Sequence, residues 1–195
     1  SIIYVNNVHI GGEMNKAVTS KELLVSYCKE MVREDGISEI NIRSLAKKSQ
    51  ISVGAVYNYF SSKEELLSET ICSIWSEIFH FETESYTFDS LTECFNSLFY
   101  SIEKGKELYP NFFTEHTLVQ TQKINEDTMT FDYWGHIKQS LVDTLKKDKS
   151  VRENVFNNIL TPQYYIDYIF VLFLQVIVES MPKEGFLKLV SNSIY

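Results

Sequence analysis

From residue 20 onward, apolar residues recur at spacings of three and four, the period of a helix that buries one face. Leu23, Leu24, Tyr27, Cys28, Met31 and Val32 form the first such stripe. Ser20 stands just before it, where its hydroxyl can accept an orphan amide. Gly36 stands just after it, at a left-handed C-cap position. Asn41 caps a second, short helix through Ile42, Leu45 and Ala46, which breaks at Ser49 and Gln50. Ser52 caps a third through Val53, Val56, Tyr57 and Phe60. Ser62 caps a fourth, which carries Leu66, Leu67, Ile71, Ile74, Trp75, Ile78 and Phe79. Its first turn holds Glu64 and Glu65, where the helix dipole favours anions.

The remainder predicts longer helices with short breaks. Asp89 caps one with Leu91, Cys94, Phe95, Leu98, Phe99 and Ile102, Gly105 interrupts it, and Pro110 starts the next short helix. A long helix is expected from about Asp127 to Lys147. Thr161 and Pro162 are a strong helix start, an N-cap followed by proline at the first helical position. The helix behind them, Tyr164 to Val178, is apolar on nearly every side and must be covered all round. Pro182 ends it, and Glu184 to about Ser193 forms the last helix. No internal repeat and no flexible linker is visible, so the pattern predicts an all-α chain.

Composition agrees and adds limits. Seven glycines and 3 prolines in 195 residues disfavour a turn-dense sandwich or barrel. Cys28, Cys72 and Cys94 are an odd count without CxxC spacing, which speaks for reduced thiols, a cytoplasmic setting and no metal site. No run of 18 apolar residues exists, so no membrane span is expected. Residues 1–13 read as a leader or an artificial lead-in before Met14. Domains are expected at 14–62 and 63–195. HExxH, GxSxG, a Gly-rich phosphate loop and a Cys/His constellation are all absent, and His80, His116 and His136 are scattered. The chain is therefore read as no enzyme, without a cofactor.

Charge redirects the reading. The formal net charge is -8, which alone disfavours a polyanionic partner. Yet Ile40 to Lys63 contains Arg43, Lys47, Lys48 and Lys63 and no acid, a local +4. The same stretch holds two short helices separated by Ser49 to Ile51, as in a helix-turn-helix. Ala46 allows close approach, Ile51 and Val56 pack the pair, and Ile42 and Leu45 face the first helix. What remains on the third helix is Ser52, Val53, Ala55, Tyr57, Asn58 and Tyr59, groups that can enter a major groove. Spacing alone leaves a generic pair of core helices equally open.

The run from Asn41 to Leu67, NIRSLAKKSQISVGAVYNYFSSKEELL, resembles the N-terminal domain of TetR-type transcriptional regulators. The likeness extends over about Lys21 to Leu67 and is strongest from Ile51 to Leu66, where Tyr57, Tyr59, Phe60, Lys63 and Glu64 agree in spacing. It departs where Gln50 replaces a frequent turn glycine, Asn41 a favoured threonine and Asn58 a frequent histidine. The resemblance implies a three-helix DNA-binding domain followed by a helical ligand-binding and dimerisation domain. It implies a ligand-responsive regulator, most often a repressor, that binds a palindromic double-stranded operator as a homodimer and is released by a small-molecule effector. Carried onto this chain, Ser52 and the adjoining backbone hold phosphate, and Val53 and Ala55 meet base edges or a thymine methyl. Asn58 reads a base edge, and Tyr57, Tyr59, Lys63 and Arg43 touch phosphates. The competing reading is a TetR-like co-activator that works through protein contacts without strong DNA binding.

Beyond His80 lie 20 of the 27 aromatic residues. Core and dimer seam account for most of them. An aromatic pocket is expected to draw on Phe95, Phe99, Phe113, His116, Tyr133, Trp134 and Tyr168. Asp167 or Glu179 near such a pocket would favour a cationic ligand, while a hydrogen bond to a tyrosine is the plainer fate for Asp167. The helix Tyr164 to Val178, with Phe186, Leu187 and Val190, is the expected dimer surface.

Overall fold

A computed structural model describes residues 19–79, 88–113 and 130–195, with side chains 130–133 outside that set. Among the described residues there is helix and no strand. The first helix, α1 (Lys21–Asp35), is capped by Ser20, whose hydroxyl accepts the Leu23 amide. It is followed by a 3₁₀ turn, Ile37–Glu39. Next come α2 (Ile42–Ser49), α3 (Val53–Tyr57) and α4 (Lys63–Phe79). The body continues with α5 (Leu91–Leu108), α6 (Thr130–Lys147), α7 (Pro162–Val178) and α8 (Lys183–Ile194).

α1 packs on α2 and on α4, and α2 packs on α3. α4 then passes into the body, where it packs on α5 and α6. α5 also meets α8 and α6, and α7 lies between α6 and α8. The buried residues form one continuous cluster, from Leu24, Cys28, Leu45 and Phe60 through Trp75 to Phe173 and Val190. α4 is thus shared, since Leu66 and Trp75, near its two ends, are both fully buried. Burial pushes the Cys28 thiol up to about 11 and the Cys94 thiol up to about 12, so both stay protonated. No helix among the described residues is long and apolar enough to cross a membrane.

Several boundaries differ from those expected. Gly36 has φ 90° and ψ 173°, a positive φ with extended ψ, so the chain leaves α1 straight and not through a left-handed turn. α3 stops at Tyr57, and Asn58 and Tyr59 form a turn that still delivers Phe60 to the core. Ser90, not Asp89, caps α5, because its hydroxyl accepts the Glu93 amide while the Asp89 amide donates to the Glu93 carboxylate. Gly105 does not interrupt α5 but lies buried inside it. A Cβ there would stand 2.9 Å from Cγ1 of Ile78, so glycine is what lets α5 approach α4. Pro110 sits in a turn that runs to Phe113, and the rest of the helix expected behind it falls outside the described residues.

Candidate nucleic-acid interface

The pair α2 and α3 is built by local chemistry. Asn41 Oδ1 accepts the amides of Arg43 and Ser44 at 3.0 and 2.9 Å, and the Asn41 amide donates to Ser44 Oγ at 3.0 Å, a reciprocal capping box. α2 ends at Gln50, which takes a left-handed conformation (φ 57°, ψ 35°) without being glycine. The Ile51 amide closes back on the Ala46 carbonyl at 3.1 Å. Ser52 Oγ accepts the Ala55 amide at 3.1 Å and keeps its own proton for another acceptor. Ile42, Leu45, Ala46 and Val56 are buried, so the outward surface is what remains.

That surface is Ser52, Val53, Gly54, Tyr57 and Asn58, all exposed, with Ala55 half-buried. Tyr57 is 53% exposed, so its ring and hydroxyl are open to a partner. A Cβ on Gly54 would meet nothing closer than Ser52 Oγ at 3.9 Å, so packing within the chain does not require glycine at that point. Arg43, Lys47 and Lys63 are exposed, and none forms an ion pair among the described residues. Lys48 differs from the expectation of four available cations. Its ammonium reaches Glu34 at 3.1 Å and Glu30 at 3.6 Å, so α1 neutralises it. Tyr59 differs as well. Its hydroxyl donates to the Thr19 carbonyl, which ties the start of α1 to the turn after α3 and leaves no proton for a phosphate.

The start of α4 is held by charge. Lys21 bridges Glu65 at 3.1 Å and Glu69 at 2.8 Å, and its ammonium lies over the Phe60 ring at 5.3 Å. The Ser61 hydroxyl and amide donate to the Glu65 carboxylate, and together with Lys21 they hold it down to about 2. At the far end of α1 a second polar group joins three elements. Glu77 of α4 takes Lys29 at 2.7 Å and Arg33 at 2.9 Å. The buried Tyr109, just past α5, donates its hydroxyl to the same carboxylate at 2.7 Å. Burial would raise the Glu77 carboxyl, but Lys29, Tyr109 and Arg33 outweigh it and keep it below its ordinary value.

The aromatic positions divide. Phe95 and Phe99 fill the core of the body against Phe173 and Phe186, with centroids 4.9 to 5.5 Å apart. Phe113 and Trp134 come together on Trp75, at 5.6 and 5.2 Å. Phe79, Phe112 and Phe170 complete that centre. Tyr168 is 66% exposed on the outer side of α7, away from both groups. His116 and the Tyr133 side chain lie outside the described residues. Asp167 is paired with Lys138 at 2.8 Å, which replaces the tyrosine bond expected for it, and the exposed Glu179 accepts from Gln175. Sequence reasoning passed over Trp75 as a member of the centre, and also over the polar group at Glu77. The only sequence signal for that group was Lys29 and Arg33 one turn apart on α1.

The geometry is that of a basic helix-turn-helix face carried on a body that is helical throughout the described residues. Residues 29–70 match the sequence model described as bacterial regulatory proteins, tetR family. The match lies within the N-terminal part of the chain, where α1 to α4 are similar to the regulators that model describes. The fold of the chain is similar to that of BioQ from Mycobacterium smegmatis, with 14% identity, a TM-score of 0.60 and coverage of 90% of this chain and 89% of that one. BioQ with its natural double-stranded DNA operator gives 15% identity, a TM-score of 0.56 and coverage of 90% and 95%. The multidrug binding protein EbrR complexed with imidazole gives 12% identity, a TM-score of 0.56 and coverage of 90% and 94%. No curated protein sequence matches the chain.

Proposed function

We propose that the chain is a ligand-responsive repressor that binds a palindromic operator as a homodimer and releases it when a small molecule binds the body. The observation that carries this is the acid-free outward face of α2 and α3. Three unpaired cations, Arg43, Lys47 and Lys63, flank exposed Ser52, Val53, Tyr57 and Asn58. Each cation set on a phosphate releases condensed counterions, which gives salt-dependent affinity. Ser52 and Tyr57 donate hydroxyls to phosphates, and Asn58, Val53 and Ala55 meet base edges. Gly54 lets the α3 backbone approach the duplex closely. Lys47 joins the phosphate-facing set, and Tyr59 leaves it to brace Thr19. Residues 14–62 form the DNA-binding domain and 63–195 the body.

The dimer reading is supported by α7. Tyr164, Tyr168, Val171 and Leu172 form an exposed apolar stripe at helical spacing. A second copy is the natural cover, and it brings two recognition helices to successive turns of one duplex face. Effector binding is assigned to the centre around Trp75, Phe113 and Trp134. Relatives of the same fold are described with an operator duplex and with imidazole, which agrees with both functions. The test is a mobility shift on the promoter beside the protein's own gene at two salt concentrations, with light scattering on the free protein. A salt-sensitive shift and twice the chain mass are expected. A stable monomer at micromolar concentration, or no shift on any neighbouring promoter, overturns the reading.

A further inference from the structure

We propose that Tyr109 is the latch by which the aromatic centre of the body fixes the position of α1, and with it α2 and α3. The proposal rests on the regulatory reading above and names how the two halves communicate. Tyr109 follows α5 directly and is fully buried. Its hydroxyl donates to Glu77 Oε2 at 2.7 Å and accepts from the Arg33 guanidinium at 2.9 Å. The guanidinium also lies on the Tyr109 ring, 4.7 Å from its centroid. The same short turn touches α1 and its C-terminus again. The Asn111 amide nitrogen donates to the Glu34 carbonyl at 3.4 Å, and Gly36 comes so near that a Cβ would stand 3.3 Å from Cβ of Asn111.

The other side of this turn belongs to the aromatic centre. Phe112 packs on Tyr109 at 6.2 Å and edge-on to Trp75 at 5.2 Å, and Phe113 packs on Trp75 at 5.6 Å. Trp75 in turn meets Trp134. The turn from Tyr109 to Phe113 therefore meets α1 through Tyr109 and Asn111 and the Trp75 cluster through Phe112 and Phe113. α1 packs on α4 and is tied to it by Lys21, Lys29 and Arg33, and the turn at Tyr109 adds a third element that reports on the body. Lys29 and Arg33 hold α1 to Glu77, and Tyr109 decides where that carboxylate and that guanidinium sit. A molecule wedged beside Phe113 would move the turn and release Arg33. By linkage, DNA bound at α3 must weaken the binding of that molecule by the same factor by which the molecule weakens DNA binding.

The test compares wild type with Tyr109→Phe, which keeps the ring and its stacking on Arg33, and with Glu77→Gln. Amide hydrogen exchange on the DNA-free protein is the first readout. Exchange in α1 to α3 is expected to rise on the order of tenfold, the size of one lost hydrogen bond to a charged group, while α6, α7 and α8 stay unchanged. Operator affinity is the second readout, and it is expected to fall several-fold with an unchanged salt slope, because no phosphate contact is removed. Unchanged exchange in α1 to α3, or an equal rise in every helix, overturns the latch. If the wild-type protein shifts no duplex, the DNA reading fails and the exchange experiment alone decides the latch.

Discussion

Gly105→Ala offers a direct test of how α5 meets α4. In an unobstructed helix interior this change stabilises by about 1 kcal/mol, because alanine loses less backbone freedom on folding. Here the new Cβ would stand 2.9 Å from Ile78 Cγ1, 3.0 Å from Cγ2 and 3.1 Å from Cδ1. Ile78 is buried and branched at Cβ, so it cannot swing aside by changing one torsion. Overpacking of this kind costs about 1–3 kcal/mol. The clash therefore outweighs the propensity gain, and Gly105→Ala is expected to destabilise by about 0–2 kcal/mol. Ile78→Ala removes all three clashing atoms and by itself costs about 2–5 kcal/mol. In that background Gly105→Ala is expected to stabilise by about 1 kcal/mol, giving a coupling of about 1–3 kcal/mol between the two sites. Urea unfolding of the four proteins measures this from the midpoints at constant slope. Stabilisation of the wild-type background by Gly105→Ala, or additive effects, would refute the close approach. Function is touched as well, since the Gly105 carbonyl accepts the Tyr109 amide at 2.8 Å.

Gln50→Gly is expected to stabilise the protein by about 1 kcal/mol, because it relieves a left-handed non-glycine residue whose side chain is exposed; an unchanged urea midpoint would count against strain at that turn. Glu65 is held down to about 2 in the folded protein against an ordinary 4.5, and Glu77 is also depressed. A depressed carboxylate stabilises above its unfolded value, so stability is expected to be full above about pH 4.5 and to fall toward pH 2, with a shallower fall in Glu65→Gln. Lys63→Ala should flatten the salt slope of operator binding by about one unit, and Lys48→Ala by clearly less, because Glu34 and Glu30 already neutralise it; equal slopes for the two variants would contradict the assignment.

The α2 and α3 interface was legible because its signals are local. Asn41 and Ser52 cap within three residues, and the apolar Ile42, Leu45 and Val56 repeat at helical spacing. Such interactions close over a few residues and leave their mark on the order of side chains. Trp75 could be placed in a buried stripe, but not beside Phe113 and Trp134, because that meeting depends on how α4, the turn at Tyr109 and α6 pack. Phe95 and Phe99 carry the same apolar signature as Phe113, and only packing sends them to a different group. Gly105 shows the same limit, since a glycine that stops a helix and one that lets two helices touch look identical in sequence.

The sequence by itself determined the helical class, most of the caps, and the basic acid-free stretch from Ile40 to Lys63, because helix periodicity, capping and local charge are short-range properties. Tertiary structure decided which of those charges remain available. Lys48 is cancelled by Glu30 and Glu34 from α1, and the Tyr59 proton is taken by Thr19, each pairing linking residues 14 to 40 positions apart. It also decided that Lys29, Arg33, Glu77 and Tyr109 share one site, since three separate elements must pack before those charges can meet.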